Sequence, residues 1–164
     1  MSLYCDRDDS LWSAGLGAWT NLFYISKFYE FVDTWILVWK GKSVSFLQTY
    51  HHTGIVFAMW GAILSHSAWI LFLVLLNSII HTLMYAYFFV KTISPQTQIK
   101  AAKYLTRMQI GQLVTGLTST MGVLYMGDTC DTQSSRFTLA FSNTYVAGLI
   151  ILFMVFAKRK YKRA

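Results

Sequence analysis

The chain has 164 residues, 55% of them hydrophobic and 13% charged, with mean hydropathy +0.42 and formal net charge +7. This balance excludes an ordinary water-soluble domain and predicts an integral membrane protein; the excess of cations calls for an explanation other than nucleic acid, which is not expected as a partner. Strand-like alternation is absent and Pro95 is the only proline, so the expected class is all-α, a membrane bundle whose helices satisfy their own backbone groups in lipid.

The chain opens Met1-Ser-Leu-Tyr-Cys-Asp-Arg-Asp-Asp, without the basic start and short apolar core of a cleavable signal peptide, and none is expected. Five apolar stretches, about 18–39, 45–65, 68–90, 105–126 and 138–157, reach the roughly 20 residues that a membrane-spanning helix needs. They form one membrane domain over 1–164 with a basic tail at 158–164, short connectors and no internal repeat.

The first stretch carries Lys27, Glu30 and Asp33 at i, i+3 and i+6, on one side of a helix. Each would cost on the order of 3 kcal/mol if turned to hydrocarbon. They must pair with one another or face a polar interior; a self-neutralising cluster that only orients the helix is the alternative. The second stretch begins with Gln48-Thr-Tyr-His51-His52, whose Gln48, His51 and His52 share a stripe. Paired imidazoles can ligate a metal, shuttle protons or act as nucleophiles. His66, in a short connector, reads as an ordinary loop residue.

In the third stretch Asn77, His81, Met84 and Tyr85 follow the i, i+4, i+7, i+8 pattern of one helix face. Interhelical hydrogen bonding without chemistry is the competing account of that stripe. The fourth opens Thr106-Arg107-Met-Gln109-Ile-Gly-Gln112. Its glutamines suit a ligand's amides and its arginine a phosphate, while snorkelling to the interface explains Arg107 equally well.

The charges have a sidedness that accounts for their excess. Lys40 and Lys42 follow the first stretch, Lys91, Lys100, Lys103 and Arg107 separate the third from the fourth, and Lys158, Arg159, Lys160, Lys162 and Arg163 follow the fifth. Alternating helices put all three groups on one side. The other side holds Asp6, Asp8, Asp9, Asp128 and Asp131 with only Arg7 and Arg136. The positive-inside rule then predicts a non-cytosolic N-terminus and a cytosolic C-terminus. Cys5 and Cys130, the only cysteines, both fall on the acidic side, where an oxidising lumen permits a disulfide; unpaired small residues are the other reading. No cysteine nucleophile is available on the cytosolic side.

Together these motifs resemble the ELO fatty acid elongases, the 3-ketoacyl-CoA synthases of the endoplasmic reticulum. The family's Lys-x-x-Glu-x-x-Asp-Thr box matches Lys27, Glu30, Asp33 and Thr34. Its His-x-x-His-His box matches Gln48, His51 and His52, with glutamine in the first place, a variant similar to that of many elongases acting on polyunsaturated chains. Its Asn-x-x-x-His-x-x-Met-Tyr-x-Tyr box matches Asn77, His81, Met84, Tyr85 and Tyr87, and its Thr-x-x-Gln-x-x-Gln box matches Thr106, Gln109 and Gln112. The resemblance runs from about Tyr4 to the C-terminus. It implies a seven-helix fold of which this chain carries five helices, beginning near the loop after the family's second. The ending Lys160-Tyr-Lys162-Arg-Ala164 is similar to a dilysine retrieval signal of a multi-pass endoplasmic reticulum protein, though ordinary positive-inside charge would look the same.

The implied reaction condenses malonyl-CoA with a long-chain acyl-CoA and releases CO2 and CoA, with no cofactor and no metal. Decarboxylation generates the carbon nucleophile, so the protein must hold and activate the acyl electrophile. Soluble condensing enzymes commonly use a cysteine for this; a buried neutral imidazole can form an acyl-imidazole instead. His51 is the expected nucleophile, with His81 orienting or deprotonating it and His52 polarising the thioester carbonyl or fixing the tautomer. Gln48 can donate a hydrogen bond but cannot exchange a proton near neutrality. Lys27, Glu30, Asp33, Asn77 and Tyr85 would form the supporting polar network, and Arg107, Gln109 and Gln112 would meet CoA. Expected partners are the two thioesters, membrane lipid, and other elongation enzymes or further copies of the chain. A di-iron desaturase would need a larger histidine set than the four present, and a transporter has no reason to reproduce four elongase boxes. The alternative kept open is a non-catalytic elongase-like protein that binds other subunits of the elongation cycle.

Overall fold

The computed structural model describes residues 6, 8–96, 101–126 and 133–161. Five helices account for most of them: α1 (Gly17–Trp39), α2 (Phe46–Leu64), α3 (Ile70–Ile93), α4 (Ala101–Met126) and α5 (Gln133–Tyr161), with a wide helical turn at Trp12–Leu16 ahead of α1. Three helices run past the apolar stretches, α3 to Ile93, α4 from Ala101, and α5 from Gln133 to Tyr161. Apolarity marks the segment that lipid can cover, whereas the backbone ladder continues through polar residues such as Lys158–Lys160. Cys5, Cys130 and the tail from Lys162 onward lie outside the described residues.

The connectors follow local rules. Past α1, Gly41 takes φ +65° and Lys42 N–H returns to the Leu37 carbonyl at 2.9 Å, the closure that glycine favours. Ser45 then caps α2 by accepting from Gln48 N–H at 3.2 Å. At the other end of α2 the left-handed position is taken by His66 (φ +45°), with Ser67 N–H on the Ala62 carbonyl at 3.0 Å. His66 tolerates that backbone while its ring stacks on Trp12 at 4.9 Å and its Nδ1 lies 3.1 Å from Asp9 Oδ2. It pins the N-terminal segment to the α2–α3 connector, a structural role in keeping with its reading as a loop residue.

Helices adjacent in sequence pack antiparallel as α1 on α2, α3 on α4 and α4 on α5. α2 also packs on α5, and a lighter α1–α3 contact completes a ring in the order α1–α2–α5–α4–α3. The α2–α5 seam is built on small residues. A Cβ at Gly54 would collide with the Tyr145 ring, one at Gly148 with the Tyr50 hydroxyl, and one at Gly61 would press on Thr138. Buried Ala58 and Ala62 extend the stripe, a spacing of small residues that lets helices approach closely.

The bundle buries charged side chains and turns large apolar ones outward. Lys27 is 2% and Glu30 5% exposed, whereas Trp39 is 90% and Trp35 68% exposed. Water would favour the reverse; lipid favours this arrangement. α3 and Arg136–Tyr161 of α5 are long and apolar enough to cross a membrane by composition alone. The molecule is an all-helical membrane bundle.

Candidate functional site

The polar stripes of α1 and α3 meet as three rungs. Lys27 Nζ donates to Asn77 Oδ1 at 2.8 Å and to Glu30 Oε1 at 2.6 Å. Glu30 Oε1 lies 3.2 Å from His81 Nδ1, and the Tyr85 hydroxyl donates to Asp33 Oδ2 at 2.8 Å. The spacing of charges on α1 therefore has a counterpart on α3, and the cluster finds polar partners across helices as well as an ion pair within one.

The α2 stripe meets the same cluster. His52 Nδ1 stands 3.7 Å from Glu30 Oε2; neither this contact nor that of His81 is aligned as a hydrogen bond. Glu30 thus faces Lys27, His52 and His81 at once, one buried carboxylate among three groups able to carry positive charge. His51 lies beside both other rings, 5.4 Å from His52 and 6.2 Å from His81 between centroids. Gln48 is turned away from the imidazoles and donates to Thr34 Oγ1 at 3.0 Å. In the place where the family motif has its first histidine, the amide ties α2 to α1.

Donor atoms of Glu30, His51 and His81 fall within 4.8 Å of one another, a spacing a metal ion could bridge. Lys27 holds the carboxylate oxygen nearest His81, so an ion there would sit against an ammonium group. The donor set suits an internal ion pair better than a metal.

Within the helix ring runs a largely apolar, partly open pocket. His51 lines one part of it beside Asn77, Gln112 and Tyr145, and the walls continue through Ile55, Met59, Leu73 and Leu117 to Trp69 and Thr120. His52 and His81 are not among its lining residues. Arg107 lies elsewhere, in an open cleft between α4 and α5 shared with Lys103, Lys158 and Tyr161. Gln109 bonds Met84 Sδ at 3.5 Å. The α4 motif is therefore divided, with Gln112 in the cavity, Gln109 against α3 and Arg107 in the basic cleft.

A family model described as "ELO: GNS1/SUR4 family" matches residues 1–164. The chain belongs to the ELO family. Its relatives include "Fatty acid elongase sre1" of Dictyostelium discoideum, 35% identical over 164 residues, covering 98% of this chain and 60% of that protein. "Long chain fatty acid elongase 2" of Caenorhabditis elegans is 36% identical over 111 residues, 68% of this chain and 40% of that one. "Fatty acid elongase 2" of Trypanosoma brucei brucei is 33% identical over 124 residues, 74% of this chain and 46% of that one. This ELO chain spans about half the length of the curated relatives it matches. No solved structure matches it.

The sequence motifs missed two features of this ELO bundle. Tyr145 of α5 touches His51, yet no motif flags a tyrosine so far along the chain. The stripe Gly54, Ala58, Ala62 was visible as small residues every fourth position and marks the face of α2 that meets α5.

Proposed function

We propose that this chain carries the condensing centre of a fatty acid elongase, joining malonyl-CoA to a long-chain acyl-CoA to give 3-ketoacyl-CoA, CO2 and CoA. The observation that carries the reading is that His51, alone among the three clustered imidazoles, lines the apolar cavity. A nucleophile must reach the acyl carbonyl, and an acyl chain needs a greasy channel beside it.

In this reading a ring nitrogen of His51 attacks the thioester, and CoA leaves as thiolate and takes one proton from solvent. The malonyl thioester loses CO2, its carbanion attacks the acyl carbon, and the neutral imidazole is expelled. His52 and His81, both against Glu30, orient the reacting groups, and the Lys27–Glu30 pair with Asn77, Asp33 and Tyr85 fixes their helices. Gln112 meets the thioester end of the substrate. The cations Lys103, Arg107 and Lys158 around their cleft would take CoA phosphates, with Gln109 between the two sites along α4.

Glutamine at position 48 supports a polyunsaturated acyl chain. The charge sidedness supports an N-terminus in the lumen and a C-terminus in the cytosol, and the lysine-rich tail supports residence in the endoplasmic reticulum. Other elongation-cycle enzymes or a second copy of the chain are the proposed partners.

The test is microsomal condensation with labelled malonyl-CoA and matched saturated and polyunsaturated acyl-CoAs, comparing this chain with His51→Ala. Product that appears only with the unmodified chain is the expected result, and its acyl preference names the substrate class. Product from saturated chains alone overturns the polyunsaturated assignment. No product from either overturns the catalytic reading in favour of a binding role among elongation subunits.

A further inference from the structure

The Tyr145 hydroxyl makes two contacts with a single residue. It lies 2.9 Å from the His51 carbonyl oxygen and 3.2 Å from His51 Nδ1. A phenol has one proton to donate, and a carbonyl oxygen can only accept. The shorter contact therefore commits the Tyr145 proton to the His51 carbonyl. What remains facing Nδ1 is a phenol lone pair. That contact is attractive when Nδ1 carries hydrogen and repulsive when it carries its own lone pair.

We infer that Tyr145 is a positioning residue that holds His51 in its Nδ1–H tautomer and leaves the Nε2 lone pair as the one offered to the acyl thioester. The inference rests on the reading of His51 as nucleophile. Its geometric basis is rigid. Tyr145 is 5% exposed, its ring fills the space left by Gly54 and stacks on Tyr50 at 5.5 Å, and its carbonyl accepts from the Tyr50 hydroxyl at 3.2 Å. Each tyrosine hydroxyl thus bonds the opposite helix backbone, so the phenol oxygen cannot swing away from Nδ1 without breaking a reciprocal pair.

Through the reaction the hydrogen on Nδ1 stays in place. Attack by Nε2 forms the nitrogen–acyl bond and breaks the carbon–sulfur bond, leaving the ring positively charged, and the Nδ1–H bond to the phenol oxygen becomes charge-assisted. Attack of the carbanion on the acyl carbon breaks the nitrogen–acyl bond and returns the neutral Nδ1–H ring. Fixing a tautomer in this way resembles what an orienting partner does for other catalytic histidines.

The experiment uses the full chain labelled with 15N-histidine in lipid nanodiscs, with long-range 1H–15N correlations and His51 assigned from the signals lost in His51→Gln. The expected spectrum has a protonated Nδ1 and an unprotonated Nε2 at His51, and Tyr145→Phe raises the Nε2–H population. An Nε2–H His51 in the unmodified chain overturns the inference, and that spectrum decides it even if Tyr145→Phe fails to fold. A Tyr145→Phe chain that folds and keeps Nδ1–H also overturns it. In the condensation assay Tyr145→Phe should lower kcat about 10- to 100-fold with KM for the acyl-CoA nearly unchanged. A shifted tautomer with undiminished kcat would overturn the catalytic consequence. If the unmodified chain yields no product at all, the nucleophile reading fails while the tautomer remains measurable.

Discussion

Two seams of the helix ring are closed by opposite means. Between α1 and α3 the contacts are polar, running from Lys27 to Asn77, Glu30 to His81 and Asp33 to Tyr85. Between α2 and α5 the helices close on glycines that receive aromatic rings, Gly54 under Tyr145 and Gly148 under the Tyr50 hydroxyl. The polar seam holds groups that would be costly anywhere else in lipid, so each partner depends on the others. The aromatic seam holds by shape and by two tyrosine–backbone bonds, so it is sensitive to volume and indifferent to charge. His51 sits where the two meet, touching the imidazoles on one side and Tyr145 on the other.

Substitutions separate these two kinds of closure, and the largest effect is expected at their junction. His51→Ala should lower the condensation rate by about a thousandfold or more while the helices stay folded; circular dichroism beside the assay distinguishes loss of chemistry from loss of fold. Next comes the polar seam. Glu30→Ala leaves Lys27 buried without its carboxylate and should cost about 3–5 kcal/mol, read as a fall in the detergent unfolding midpoint. Replacing both, as Lys27→Met with Glu30→Leu, should recover most of that loss, since the penalty comes from the stranded charge.

In the aromatic seam Gly54→Ala forces the Tyr145 ring to move and should cost about 1–3 kcal/mol, with a partial rescue by Tyr145→Leu that a charge-based seam would not show. Smallest of all is Asn143→Leu, which removes the 2.6 Å bond from Thr120 between α4 and α5. Interhelical bonds of this kind average about 0.6 kcal/mol, so an unfolding shift as large as that of Glu30→Ala would contradict the division drawn here.

The polar seam was largely legible in the sequence, because charges inside apolar stretches must find partners and helical spacing says which face they share. Lys27, Glu30 and Asp33 on one face, and Asn77, His81 and Tyr85 on another, announced a polar interior. Their rung-by-rung pairing was not legible, since spacing within one helix carries no information about its register against a second. The orientation of Gln48 toward Thr34 was hidden for the same reason. The division of the α4 motif between cavity and basic cleft escaped because Arg107 and Gln112 are five positions apart, enough to turn them to different neighbours. Tyr145 was invisible because a tyrosine in an apolar helix looks like packing until the oxygen it meets is known.

The rungs between α1 and α3 are unevenly spaced. Three residues separate the rungs on α1 and four on α3, so they climb about 4.5 Å per step on one helix and about 6 Å on the other. Side-chain reach absorbs that difference, and all three rungs find polar partners at one setting only. Sliding α1 by a turn would bring Lys27 beside Leu73 in one direction and Asp33 beside Phe89 in the other, stranding a charge against hydrocarbon either way. The ladder fixes the register of the two helices, and it sets the height at which the imidazoles meet as surely as it keeps its charges out of hydrocarbon.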